Sequence, residues 1–390
     1  MPEPLRVSSD LISVLTEAAH DRKPVTGWTH NFYRYPARFS PQFAGAVIRS
    51  FSRSSELILD PYMGGGTSVV EAVACGRNII GNDLNSLACF ITKTKVTPLT
   101  EFETDAVKAW AVREVPQFNY RRDAHELEPF VHAAKTKNLS LVRARFIKKA
   151  VAAAIASLSL LPTENAQNFA KCIVLRVSQW ALDGRETHTS LSDFRGKLVT
   201  TSVEMVKAIN RLGIRVAGNG GRATVLNMNA AHLDESQVFA QMRQKVSLVI
   251  TSPPYPGVHV LYHRWQVDGR RETPAPYWIA GCNDGQGVSF YNFGDRREGA
   301  ADTYFRTSFE TLRAIRRVMR NGGYVVQLVA FNRPDDQLQR YLVNMKDAGF
   351  QEVRTGASRI WREVPGRKWH ASLLGKTHAS NEVVLIHRAI

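Results

Sequence analysis

Two short apolar runs, far apart in the chain, break off into polar loops rich in glycine or proline. Leu57-Ile58-Leu59 opens into Asp60-Pro61-Tyr62-Met63-Gly64-Gly65-Gly66-Thr67, and Val246-Ser247-Leu248-Val249-Ile250 opens into Thr251-Ser252-Pro253-Pro254-Tyr255. Short, mostly apolar runs of this kind read as buried strands. The residues after the first run agree. Ser68 to Cys75 reads as a helix stopped at Gly76, and Asn78 to Asp83 as a second strand ending in an acid. Strand, glycine loop, helix, strand, acid is the first half of a doubly wound sheet, whose strands offer ligands their carboxyl edge.

The rest of the chain extends this α/β pattern with one interruption. A helix is expected near Asp10 to His20, and Pro24, Pro36 and Pro41 keep the aromatic, basic segment Trp28 to Phe39 out of a long helix. Phe43, Ala44, Val47, Ile48 and Phe51 fall at helical spacing. Between about Glu101 and Gly213 strand-like runs vanish and helical periodicity takes over, so residues 101–221 read as a helical insertion punctuated by Pro162, Gly184 and Gly213. Strands resume at Ala223 to Leu226. Tyr304 to Met319 reads as an amphipathic helix closed by Asn321-Gly322-Gly323, followed by a strand over Tyr324 to Val329 and a helix over Leu338 to Ala348. Two last strands, near Phe350 to Val353 and Val383 to His387, fit a terminal antiparallel pair.

Composition narrows the partners. The 390 residues are 44% hydrophobic and 22% charged, ordinary for a globular chain able to bury a sizeable core. Lys and Arg number 51 against 35 acids, a net charge of +16, which favours a polyanionic partner. No apolar stretch has the length of a membrane span and Met1-Pro2-Glu3-Pro4 resembles no signal peptide, so a cytoplasmic protein is expected. Cys75, Cys89, Cys172 and Cys282 form neither CxxC nor a metal-ligand spacing, and the eleven histidines form no HExxH, so structural thiols and no metal are expected.

The chemistry lies in the two loops. Glycines 64, 65 and 66 allow unusual dihedrals and close backbone approach, Asp60 is placed to accept from a cationic amino group, and Asp83 to bind vicinal ribose hydroxyls. A mononucleoside fits that pair; the loop lacks the Gly-Lys-Ser/Thr of a Walker motif and the third glycine of an NAD site. A tight turn without a ligand is the plainer reading of this loop alone. In the second loop, two prolines after a buried strand rigidify the chain and leave carbonyl acceptors. The Ser252 hydroxyl and Pro253 carbonyl can accept from an exocyclic amine and turn its lone pair toward an electrophile, while Tyr255 offers a face to a flipped base.

Asp60 to Thr67 and Ser252 to Tyr255 together resemble the amino-methylating DNA methyltransferases, with their Asp-Pro-Phe-x-Gly-x-Gly-Thr loop (Tyr62 here replaces Phe) and their (Asn/Asp/Ser)-Pro-Pro-(Tyr/Phe) tetrad. Tyr35-Pro36-Ala37-Arg38-Phe39 is similar to the element that precedes the cofactor loop in that family. The resemblance covers residues 28–92 and 223–390. It implies a Rossmann-like methyltransferase sheet with helices on both faces, made from residues 1–100 and 222–390. Residues 101–221 are the candidate target-recognition region. It also implies S-adenosylmethionine as cofactor, held by Tyr35, Pro36, Phe39, Asp60, Tyr62, Gly64, Gly66, Thr67 and Asp83. Asn229 stands where the family often carries an acid near the adenine ring. Ser252, Pro253, Pro254 and Tyr255 become the catalytic set, and the serine points to cytosine N4.

Double-stranded DNA is the implied partner, with a cognate restriction or defence nuclease as a further one. Arg264, Arg270, Arg271 and Lys368, interleaved with aromatics, are the candidate DNA contacts, although a solvated loop with buried aromatics fits them equally. Adenine N6, an RNA base, or a non-catalytic DNA-binding subunit are the alternatives. Cytosine C5 is disfavoured because none of the four cysteines follows a proline.

Overall fold

The computed structural model describes residues 5–6, 8–36, 40–119, 136–142, 144–185, 187–256, 264–267, 269, 271–283, 300–331, 333–354, 358–363 and 381–390. Its strands among these residues are β1 (Leu5–Arg6), β2 (Leu57–Asp60), β3 (Asn78–Asn82), β4 (Arg222–Leu226), β5 (Val246–Thr251), β6 (Trp265–Val267), β7 (Arg271–Thr273), β8 (Met319–Ala330), β9 (Phe350–Arg354), β10 (Ile360–Glu363) and β11 (Asn381–Ala389). Nine of them form one sheet in the order β1-β9-β11-β8-β5-β2-β3-β4, with β10 paired to β11, while β6 and β7 form a separate hairpin. β2, β3, β4, β5 and β8 run parallel where they pair, and β11 lies antiparallel between β8 and β9. The expected terminal antiparallel pair is therefore β9 with β11.

From the β2–β5 boundary the chain winds outward both ways, through β3 and β4 on one side and β8 on the other. Ile58 pairs with Leu248 and Leu59 with Val249, so the carboxyl ends of the two strands lie side by side at the reversal. That reversal is where open α/β sheets form a crevice.

Alternation along the strands divides the core. Ile58, Leu248, Ile250, Val326 and Val384 face the helices Ser9–His20, Pro41–Phe51 and Thr67–Ala74. Leu57, Leu59, Val249, Val325 and Val383 face the helices Ala300–Val318 and Pro334–Asp347. Helix Pro41–Phe51 begins as its residues dictate: Ser40 accepts from the Phe43 amide, Pro41 stands at the first turn, and Phe43, Ala44, Val47, Ile48 and Phe51 are buried.

Between β3 and β4 the described residues are helical, with helices Glu101–Arg113, Arg145–Ser157, Glu164–Leu182 and Leu191–Asn219. They share a third core with Phe32, Tyr33, Tyr35, Trp265 and Tyr277. Thr100 and Glu103 form a capping box, and Glu103 also accepts from Thr163 Oγ1 at 2.6 Å, which joins two helix starts.

Two local expectations are corrected. Gly213 does not end a helix but lies inside Leu191–Asn219, where a methyl group would sit 3.3 Å from Pro98 Cβ. Nor does a helix close at Asn321-Gly322-Gly323. β8 already begins at Met319, and the pairing jumps from Val246↔Met319 to Leu248↔Tyr324. The glycines form an irregularity within the strand, with Gly322 at φ +76°.

Candidate active site

Asp60 ends β2 directly beneath the glycine loop and is fully buried. Its Oδ1 accepts from the Tyr62 amide (3.1 Å) and from Thr251 Oγ1 (2.8 Å), and its Oδ2 from Ser68 Oγ. Burial pushes the carboxyl up to about 7, against the pull of Ser68, Thr251 and the Tyr62 amide. All these partners belong to the protein, so Asp60 ties the β2 exit to the β5 exit from below.

The loop above it is shaped by its own neighbours. Gly64 and Gly66 have φ of +49° and +75°, the left-handed region. A methyl added at Gly65 would lie 2.7 Å from Tyr35 Cβ, and one at Gly66 would lie 2.5 Å from Thr92 Oγ1. The glycines thus admit Tyr35 and Thr92 against the backbone. Lys95, buried on helix Ser86–Val96, donates from Nζ to the Gly65 carbonyl at 2.6 Å.

Asp83 follows β3 and is half-buried. Its Oδ2 accepts from the Gly64 amide and its Oδ1 from the Asn85 amide, both at 2.8 Å. Burial raises its carboxyl to about 6, with the two amides opposing. Tyr35 is buried; its hydroxyl receives Asn85 Nδ2 at 3.4 Å, and Asn85 Oδ1 receives Tyr277 Oη at 3.0 Å. Pro36 and Tyr62 are half-buried and Thr67 is buried at the start of its helix; burial holds the Tyr62 hydroxyl well above its ordinary range. Asn229 is exposed after β4 and spends Oδ1 on the Ala231 amide, capping the turn Ala230–Glu235. Phe39 lies outside the described residues.

On the β5 side, Ser252 and Tyr255 fold back on each other, with Oγ and Oη 2.8 Å apart. The Tyr255 hydroxyl also lies 2.8 Å from Glu382 Oε1 and 3.3 Å from the Leu328 carbonyl. Glu382, at the start of β11, is buried and clamped by Arg362 through Nε (2.7 Å) and Nη2 (2.5 Å). Arg362 Nη1 in turn donates to the Ala19 carbonyl at 3.1 Å. Tyr304 Oη donates to the Pro254 carbonyl at 2.9 Å, which pins the loop after its two prolines. Pro253 is buried, and Pro254 and Tyr255 are half-buried.

Of the basic candidates, Arg264 is half-buried, 3.9 Å from Glu272 across the β6–β7 hairpin, and Arg271 is exposed on β7. Arg270 and Lys368 lie outside the described residues. The aromatics nearby are core residues where described: Trp265 Nε1 donates to Tyr33 Oη at 2.9 Å, and Tyr277 is fully buried.

Sequence reasoning missed Asn85, Lys95, Tyr304, Arg362 and Glu382. Only Glu382 carries a visible signal, an acid opening the apolar run Val383-Val384-Leu385-Ile386.

Residues 15–94 match the N6/N4 methyltransferase family described as DNA methylase. The type II methyltransferase M.MvaI of Kocuria varians is 33% identical over 100 residues, 23% of this chain and 22% of that protein. M.MjaII of Methanocaldococcus jannaschii is 31% identical over 74 residues, 19% of this chain and 14% of that protein. The matched stretch thus spans less than a quarter of either relative. Among solved structures, TrmN from Thermus thermophilus aligns with a TM-score of 0.32 at 12% identity, over 90% of this chain and 49% of that one. The rRNA methyltransferase AviRa from Streptomyces viridochromogenes aligns with a TM-score of 0.34 at 8% identity, over 98% and 93%. Residues 15–94 are thus similar to the N6/N4 DNA methylases, and S-adenosylmethionine is the cofactor that this similarity implies.

The donor set fits such a nucleoside. A half-buried carboxylate, Asp83, follows β3 beside a glycine turn, and each of its oxygens keeps a lone pair beyond the amide it already accepts.

Proposed function

We propose that this protein transfers a methyl group from S-adenosylmethionine to the exocyclic N4 amino group of a cytosine flipped out of double-stranded DNA. The observation that carries this reading is the 2.8 Å hydrogen bond from Thr251 to Asp60. It joins the loop of the DNA methylase match to the Ser-Pro-Pro-Tyr loop, so that a donor on one and an amine on the other would meet.

The chain's own residues have positioning work to do. Asp83 would accept from the ribose hydroxyls, and Tyr35 backs the glycine turn that shapes the site. S-adenosylmethionine supplies a methyl group already activated on a sulfonium. The amine of a nucleobase is a poor nucleophile because its lone pair is delocalised into the ring. Ser252 Oγ and the Pro253 carbonyl, accepting from its two hydrogens, would turn that lone pair toward the methyl group. Tyr255 would flank the base. Serine in place of Asp or Asn at the first tetrad position supports cytosine over adenine. Arg264, Arg270, Arg271 and Lys368 would contact DNA phosphates, residues 101–221 would contribute to target recognition, and a restriction or defence nuclease would be the cognate partner.

The test is mass spectrometry of nucleosides from duplex DNA incubated with the protein and a methyl-labelled donor. N4-methylcytosine is expected. N6-methyladenine in its place would keep amino transfer and reject the serine argument. Label confined to RNA offered in parallel, or absent from every base, would reject DNA amino methylation.

A further inference from the structure

We propose that Glu382, clamped by Arg362, sets the direction of the hydrogen bond between Tyr255 and Ser252, and so makes Ser252 an acceptor toward the base. This rests on the amino-transfer reading for the statement that Ser252 meets the base, and adds to it a positioning residue and a rule for which bases are refused.

Among the described residues, three oxygens lie within hydrogen-bonding distance of the Tyr255 hydroxyl: Glu382 Oε1 at 2.8 Å, the Leu328 carbonyl at 3.3 Å and Ser252 Oγ at 2.8 Å. A carbonyl has no proton to give, and neither has a carboxylate held by both Nε and Nη2 of one guanidinium. The single phenolic proton therefore goes to one of these two, and Glu382 is the nearer. Ser252 and Tyr255 stand too close to face each other lone pair to lone pair, so Ser252 donates its only proton to Tyr255.

What Ser252 then shows to the site is lone pairs. An exocyclic amine finds an acceptor there; a ring carbonyl at the same place, as in thymine, meets repulsion. A site built to pair one polar group rejects its substitute more strongly than a change of shape would allow. The sheet order makes the device feasible. β11 is antiparallel to β8, with Glu382 opposite Ala330, so the start of β11 reaches the edge where the parallel strands end.

The test is a double-mutant cycle on the full chain, with Glu382→Gln, Tyr255→Phe and the pair. The carboxamide introduced by Glu382→Gln both donates and accepts, which frees the relay to reverse. Glu382→Gln should lower kcat about tenfold while KM for DNA and donor stays within about twofold, the scale of one oriented hydrogen bond. In the Tyr255→Phe background the same change should have no further effect on kcat, because it acts through the phenol. A second readout needs no turnover. Duplexes carrying an amino base or a 4-oxo base at the methylated position should be discriminated by the wild type, and that preference should narrow in Glu382→Gln. Unchanged kcat, or a loss that is repeated in full on Tyr255→Phe, overturns the proposal. If Glu382→Gln does not fold, Tyr255→Phe alone decides: full activity overturns, and lost turnover with donor affinity retained supports. Failure of the wild type to methylate DNA is a separate result, and strikes the amino-transfer reading itself.

Discussion

Asp60 ends β2 and Asp83 follows the adjacent β3, and burial raises both carboxyls, to about 7 and about 6. A raised acid binds its proton more tightly in the folded chain than in the unfolded one. Its stabilising contribution is therefore present at low pH and lost as pH rises through the folded value. Asp60→Asn keeps the acceptor for Thr251 and the Tyr62 amide but has nothing to ionise. Urea unfolding should show the variant gaining on the wild type between pH 5 and pH 8 by on the order of 2–3 kcal/mol; a gap that does not change with pH would contradict the buried charge. For Asp83 the linkage falls on binding. Nucleoside affinity, measured by calorimetry, should weaken as pH drops below about 6 in the wild type. Asp83→Asn should bind more weakly at pH 8 and lose that dependence. Gly66→Ala combines φ +75° with a methyl 2.5 Å from Thr92, and should cost roughly 1–3 kcal/mol of stability in the same unfolding assay.

At the scale of elements, what could be read from the sequence was local. Helix Pro41–Phe51 announces itself through Ser40, Pro41 and five apolar residues at one spacing, and the strand exits through apolar runs that end in glycine or proline. What could not be read is set by partners distant in sequence. Glu382 belongs to the site because β11 pairs with β8, and Asn85 because Tyr277 donates to it from 192 residues away. The β6–β7 hairpin shows the same limit. Its composition fits both nucleic-acid contact and core, and only packing separates the two: Trp265 bonds to buried Tyr33, whereas Arg271 is exposed. Trp265→Phe should therefore lower the melting temperature with little change in DNA affinity. Arg271→Ala should leave melting unchanged and reduce the salt slope of DNA binding by about one. A reversal of the two phenotypes would reject this division.

For the molecule as a whole, the winding order fixes where chemistry can occur. Two adjacent parallel strands leave the sheet side by side while their connections depart in opposite directions, the arrangement in which open α/β sheets form a crevice. The alternating faces of β2, β5, β8 and β11 commit the rest of each strand to core, so little but the edge remains available for function. The net charge of +16 is a property of this scale too, and under the proposed function its consequence would be a DNA affinity that falls steeply with salt.

The Asn-Gly-Gly irregularity in β8 acts as a slack joint in this scheme. Five steps along β8, from Met319 to Tyr324, span two along β5. Whatever length the helix Ala300–Val318 delivers is taken up there, before the regular ladder begins at Tyr324. The parity of every later residue, and with it the placement of Leu328 beside Tyr255, is insulated from the chain upstream. One residue inserted at Gly322 should then leave melting within a few degrees of the wild type. The same insertion at Val326 would turn each following side chain to the opposite face of the sheet and unfold the protein.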